Sequence, residues 1–333
     1  MGVTSVWQGL GYSAFLADLA PRDRDPAHIA ATVIAGACVG LVASAACWIL
    51  VLVPYTFLVG LGGQGLLGVG EVALMFRDSS VHDLGITLLR LVESVATDGA
   101  FPLAFVSLAA IITHRPFQHY VTVARRIRWR LLLAGLGLSF VAVLPLALAG
   151  GGPVSPVVDV APSLAGRFVY VLAATTLMIP SAAAEELMFR GWLMRQIAAF
   201  TRRPEVLLLV TAVLFSAAHL DFAPDAFLYR VIMGAGFAYM ALRTGGLELP
   251  VGAHAANNIA VLLIVAPFGP RGVGHGGPQG VWFADLALAL GYVVVTEAIM
   301  RLEPLRRWSG IAPGEASPVY APEVGVVPPN FQA

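Results

Sequence analysis

The sequence contains no lysine. All 20 basic residues are arginine, and 20 acidic residues balance them to a formal net charge of zero. That balance excludes the basic face that nucleic-acid binding requires. Charge as a whole is scarce, at 12% of residues against about 25% in an average soluble domain. With 58% hydrophobic residues and a mean hydropathy of +0.80, an ordinary soluble enzyme and a disordered or collagen-like chain are also excluded. Cysteine is limited to Cys38 and Cys47, both in one apolar run. Nine residues apart on a helix, they are separated by ~13 Å, too far for a disulfide within it. They read as small buried hydrophobes, and a cysteine-based zinc site is excluded. Met1 to Ala27 lacks the long apolar core of a secretory signal and carries Asp18, Arg22, Asp23, Arg24 and Asp25. Val6 stands where a myristoylation signal needs Ser or Thr. No Walker loop and no HExxH occurs.

What is present is a series of long apolar runs. A helical span needs ~20 mostly apolar residues, and about eight stretches qualify, near 29–57, 84–113, 131–150, 164–184 (or on to 200), 205–220, 226–242, 249–268 and 281–300. The second is poor because it carries Arg90, Glu93 and Asp98. Runs this continuous lack the period-2 alternation of a barrel. The expected fold is therefore an all-α polytopic membrane protein of about eight transmembrane helices.

Arginine placement gives the orientation. The loop from His114 to Arg130 holds Arg115, Arg125, Arg126, Arg128 and Arg130 and marks the cytoplasmic side. Arg202, Arg203, Arg243, Arg301, Arg306 and Arg307 continue the pattern and place both termini inside. The Gly-rich stretch 60–75 is compatible with a re-entrant piece. The tail 309–333, with five prolines, reads as disordered.

Ionisable groups in a bilayer cost about 2.5–3.5 kcal/mol each on insertion scales, which makes them functional candidates. Glu185-Glu186 and Arg190 close the fourth run. Glu186 and Arg190 are i,i+4 and face one another, whereas Glu185 points ~100° away without such a partner. An unpaired, partly desolvated carboxylate suits general-base work. An ordinary ion pair at a helix end is the plainer reading of the same residues. His219 closes the fifth run, and His254 and Asn258 share a face of the seventh. Each of these is also compatible with a helix-packing hydrogen bond. In an antiparallel hairpin turning near position 202, Glu185 and His219 meet at one depth. His254 lies only ~12 Å into its span and requires a broken or tilted helix to reach them.

Glu-Glu-x-x-x-Arg at 185–190, Phe-x-x-x-His at 215–219 and His-x-x-x-Asn at 254–258, in this order, resemble the CPBP family of CAAX prenyl endopeptidases and Abi-like, bacteriocin-processing proteins. The turn Thr244-Gly245-Gly246-Leu247 before Pro250 resembles the family's lead-in to its last His motif. The resemblance covers about 165–268. It implies membrane helices enclosing a cytoplasm-facing cavity, and intramembrane hydrolysis of a peptide bond. Carried over, Glu185 activates water with His219, His254 and Asn258 polarise the carbonyl, and Arg190 holds Glu186. The chain then divides into N-terminal membrane helices 1–160 of unassigned role, a CAAX-protease-like core 161–268, a last membrane helix 269–308 and the tail 309–333.

The residues allow two chemistries. Glu185, His219 and His254 are the ligand types of a divalent, zinc-like site with an open position. They also allow a metal-independent glutamate mechanism, but the resemblance is to a family usually labelled metalloprotease, so the expected enzyme is a metalloendopeptidase. The implied partners are the lipid bilayer and a membrane-associated peptide or protein substrate. The all-Arg, Ala/Gly/Val-rich composition suggests a GC-rich bacterial genome and a place in the inner membrane. Because most bacteria lack CAAX prenylation, the expected substrate is another membrane-associated peptide. An ion-coupled transporter or channel and a non-catalytic scaffold or immunity protein remain as alternative readings.

Overall fold

The computed structural model describes residues 3–59, 84–150, 155–266 and 282–311. The Gly-rich stretch 60–75 and residues 312–333 of the tail lie outside the described residues. The long helices are α1 (Pro26–Val59), α2 (Leu84–Ile112), α3 (Trp129–Gly150) and α4 (Leu164–Ala198). After them come α5 (Pro204–Ala218), α6 (Pro224–Thr244), α7 (Glu248–Ala260), α8 (Trp282–Arg301) and the short α9 (Glu303–Ser309). Among the described residues the only extended pairing is an isolated bridge between Thr122 and Gly246. The fold is all-α, and five helices are long and apolar enough to cross a bilayer: α1 to α4, and α7 with its extension to Val265. The chain is thus a polytopic membrane protein.

Helices occupy all eight stretches read from the sequence, but the structure does not carry the count of eight spans. Helix α5 is only 15 residues long. Helix α6 carries Asp225, Arg230 and Arg243. The second stretch, poor on charge, does form a 29-residue helix and is one of the five. The fourth runs unbroken to Ala198.

Local chemistry sets the helix ends. Ser163 caps α4 by accepting from the Gly166 N–H at 3.1 Å. Pro204 and Pro224 open α5 and α6, where a missing N–H costs nothing. Gly245, at φ 72°, ends α6 in the left-handed conformation that glycine adopts without strain.

Helices α3 and α7 touch through their backbones. A Cβ on Gly135 would stand 2.3 Å from the Leu249 carbonyl oxygen, and one on Gly252 would stand 2.1 Å from that of Leu132. Small residues at a helix crossing permit this approach, and it fixes α7, which carries His254. Helix α1 sits outermost, packed chiefly on α2, with 17% of its apolar window buried. Cys38 is accordingly exposed and Cys47 half-buried, both as free thiols. This corrects the reading of both as buried, since α1 turns most of its surface outward.

Some loop arginines are not solvated either. Arg115 and Arg128 are 6% and 7% exposed. Arg115 grips Asp18 (2.9 Å) and Asp23 (2.8 and 3.1 Å) of the N-terminal segment. Arg195 of α4 also bonds Asp18, and Gln196 donates to the Asp23 carbonyl at 2.6 Å. Arg128 holds Glu248 (2.7 and 3.0 Å) and the Thr244 carbonyl (2.8 Å). The Arg-rich loop thereby clamps both the N-terminal segment and the α6–α7 turn.

Burial pushes the Asp18 carboxyl up, but the Arg195 and Arg115 guanidinia outweigh it and hold it below its ordinary value of 3.8. A carboxylate depressed in the folded state stabilises fully above 3.8, and this is lost as pH falls through the lower folded value. The Asp18→Asn variant is expected to be less stable at pH 7 by about 2 kcal/mol, the scale of hydrogen bonds to charged groups. Thermal unfolding in detergent from pH 7 down to 3 checks this, with wild type and variant converging at the acid end.

Candidate active site

Helix α4 changes its winding where its polar groups begin. It is α-helical to Glu186 and π-helical from Leu187 to Leu193. Single π segments inside α-helices recur at functional sites. Arg190, within the π segment, is fully buried and donates from Nη1 to Glu186 Oε1 at 2.9 Å. From Nη2 it donates to the Gly234 carbonyl of α6, also at 2.9 Å. His254 of α7 meets the same Glu186 oxygen through Nδ1 at 2.9 Å. One buried carboxylate therefore joins α4 to α7 directly and to α6 through its arginine. Its other oxygen, Oε2, is buried without a hydrogen-bond partner among the described residues.

Glu185 faces the other way and is 28% exposed. Its Oε2 lies 3.7 Å from His219 Nε2 and 3.9 Å from His254 Nε2. Both imidazoles have their other nitrogen engaged. His219 Nδ1 donates to the Phe215 carbonyl at 2.9 Å, and His254 Nδ1 is directed at Glu186. An occupied Nδ1 fixes the ring and turns Nε2 outward. Separations of 3.7–3.9 Å are too long for direct hydrogen bonds and lie within reach of a bridging water.

His219 caps the C-terminus of α5, where the chain reverses at once. Leu220 takes φ 54°, a left-handed conformation strained for leucine. Asp221 anchors the reversal by pairing with Arg230 of α6 at 3.0 Å. Aromatic rings complete the frame. Phe215 lies edge-on to His219, His254 and Phe189, and Arg190 stands 4.5 Å from its centroid. Phe237 stacks on His254, with centroids 5.1 Å apart. These cation–π and stacking contacts surround Arg190 and His254 with rings in place of water.

The structure thus brings together Glu185, Glu186, Arg190, His219 and His254. His254 reaches Glu185 despite its shallow position in sequence, because α7 starts at a buried turn held by Arg128. Asn258 lies one turn beyond His254 on the same face and is contacted by Asn257, whose Nδ2 donates to its Oδ1 at 3.4 Å. Phe237, Gly234 and Asn257 carry no sequence signal of a role at the site, and Phe215 carries only its one-turn spacing from His219.

Glu185, His219 and His254 have the donor chemistry of a divalent metal site, at a spacing wider than bound zinc sets. Tetrahedral zinc with bonds of ~2.0–2.1 Å places its donors ~3.3 Å apart, closer than the distances here. Among the described residues no group of three His, Cys, Asp or Glu side chains is arranged to hold a metal ion.

The site sets one partly exposed carboxylate and two oriented imidazoles, groups able to exchange protons with water, among apolar helices. Residues 167–260 match the family described as Rce1-like, type II CAAX prenyl endopeptidase Rce1-like. Over that segment the chain is similar to that family, whose description is that of an endopeptidase. A Bacillus subtilis (strain 168) protein described as uncharacterized protein YyaK is 29% identical over 161 residues, 46% of this chain and 54% of the relative. The chain thus spans about half the length of the curated relative it matches. No solved structure matches.

The two carboxylates differ in what their removal should do. Arg190→Ala removes the guanidinium partner of the buried Glu186, a loss of about 3–5 kcal/mol for a broken buried pair. Glu185→Ala, at a partly exposed position, is expected to change stability by less than about 1 kcal/mol. Thermal or denaturant unfolding of the two variants in one detergent checks this contrast.

Proposed function

We propose that the protein is an intramembrane endopeptidase acting on a membrane-associated peptide or protein. The observation that carries this reading is the approach of His219 Nε2 and His254 Nε2 to one carboxylate oxygen, Glu185 Oε2, at 3.7 and 3.9 Å. Glu185 and His219 present acceptors to a water and draw its proton as its oxygen attacks the peptide carbonyl. The new C–O bond forms, and the carbonyl π electrons move onto oxygen. His254, as the imidazolium held by Glu186, donates Nε2–H to that oxyanion, and the Asn258 amide supplies a second donor. The proton taken from water then passes to the peptide nitrogen, the C–N bond breaks, and the products are an acid and an amine. No step in this sequence is routed through a metal.

The rest of the site supports the division of labour. Glu186 and Arg190 are fully buried and serve as the frame. Glu185 and His219, 28% and 33% exposed, form the accessible half. The substrate we propose is a membrane-associated peptide without a prenyl requirement. The proposed orientation places the Arg-rich loop and both termini in the cytoplasm, in a bacterial inner membrane.

Cells expressing wild type, Glu185→Ala and His219→Ala provide the test, with mass spectrometry mapping new protein termini in their membranes. Wild type is expected to generate membrane-proximal cleavage products that both variants lose by at least about 100-fold, the lower scale of general-base catalysis. Identical termini in all three samples would overturn the reading.

A further inference from the structure

We infer that Tyr229 and Asn257 are positioning residues that select which end of the Asn258 side chain faces the substrate. This inference rests on the reading of Asn258 as an oxyanion donor. A carboxamide has one acceptor oxygen and one two-proton donor, almost identical in shape. Only the NH2 end stabilises a developing oxyanion, and the oxygen end would repel it. Packing cannot choose between two ends of the same shape, so hydrogen-bond polarity must.

The structure supplies that polarity from a neighbouring helix. The Tyr229 hydroxyl of α6 donates to Asn257 Oδ1 at 2.5 Å. Asn257 Nδ2 donates in turn to Asn258 Oδ1 at 3.4 Å. Each link commits one end of the next amide. With its oxygen taken by the phenol, Asn257 offers its NH2. With its oxygen taken by Asn257, Asn258 keeps its own NH2 for the face it shares with His254. Asn257 is 8% exposed, so a mismatched partner there has little water to turn to. In the reversed relay the Asn258 NH2 would point inward at Asn257 and be withdrawn from the reacting carbonyl. His254 is held by the same two helices, since Phe237 of α6 stacks on it two turns beyond Tyr229. Helix α6 therefore orients both members of the carbonyl-polarising pair, one by stacking and one by hydrogen-bond direction.

Asn257→Asp separates polarity from shape. An ionised carboxylate still accepts from Tyr229 but cannot donate to Asn258, and it draws the Asn258 NH2 inward. Tyr229→Phe removes the first link while keeping the ring. The assay is steady-state cleavage of a fluorogenic peptide spanning a site found by terminus mapping, with wild type and variants in vesicles. Asn258→Ala is expected to lower kcat by about 100-fold or more. Asn257→Asp should lower kcat by about 10- to 100-fold, as misplacement of a catalytic group does, and Tyr229→Phe by about 10-fold. KM should stay within about 2-fold in both, as for a contact realised only in the transition state. In an Asn258→Ala background neither substitution should lower kcat further. Losses that multiply in that background, or wild-type kcat in both Asn257→Asp and Tyr229→Phe, would overturn the relay while Asn258 remains the donor. Wild-type kcat in Asn258→Ala alone would overturn the oxyanion reading itself.

Discussion

The buried contact of Glu186 with Arg190 and His254 is the constraint on which the site depends. Placing a carboxylate and a guanidinium at zero exposure is costly, because desolvation takes several kcal/mol per ion and mutual attraction repays it only with good geometry and further hydrogen bonds. Those bonds come from different helices: the Gly234 carbonyl from α6 and the His254 Nδ1 from α7. Shifting any one of the three helices along its axis would break a hydrogen bond that the buried pair needs. The pair therefore acts as a register lock whose value lies in fixing one arrangement. What it fixes is the direction of His254 Nε2 and, one residue back on α4, the exposed carboxylate of Glu185.

The winding of the helices follows from that demand. A regular α-helix already places Glu186 and Arg190 on one face. The π segment from Leu187 to Leu193 widens the turn in which Arg190 must also reach across to Gly234. Helix α7 continues as a π turn from Val261 to Val265, directly beyond the Asn257–Asn258 pair. Both helices that carry the central polar groups thus depart from α geometry, α4 directly after Glu186 and α7 beyond Asn258. Leu220, in a left-handed conformation after His219, is the equivalent departure on α5.

Part of this was legible in the sequence. The Glu186–Arg190 pairing follows from i,i+4 spacing, and the freedom of Glu185 follows from its neighbour being paired. The meeting of Glu185 with His219 follows from equal distances to the turn near 202. The reach of His254 did not, because depth counted from Gly246 assumes that this turn lies at the surface. Arg128, bound to Glu248 and the Thr244 carbonyl, holds the turn inside the protein, and no local pattern encodes a contact across more than a hundred residues. The same reason hid the role of Arg115, which the sequence offers only as a topology marker. It is equally why Phe237 could not be told from an ordinary core aromatic.

The division between a sealed half and an open half also bears on how the proposed hydrolysis would proceed in an apolar setting. Water must reach the reacting carbonyl, yet the charges that orient catalysis must not be screened by it. Rings from α4, α5 and α6 surround Arg190 and the inner face of His254 and keep that half dry. Glu185 and His219 lie on the accessible side, and the two Nε2 atoms stand at the boundary. A carboxylate that only held the frame would gain nothing from exposure, and one that only activated water would gain nothing from a buried arginine. Two adjacent glutamates on one helix, pointing ~100° apart, meet both requirements with a single backbone segment, so the doublet has a physical reason to be a doublet.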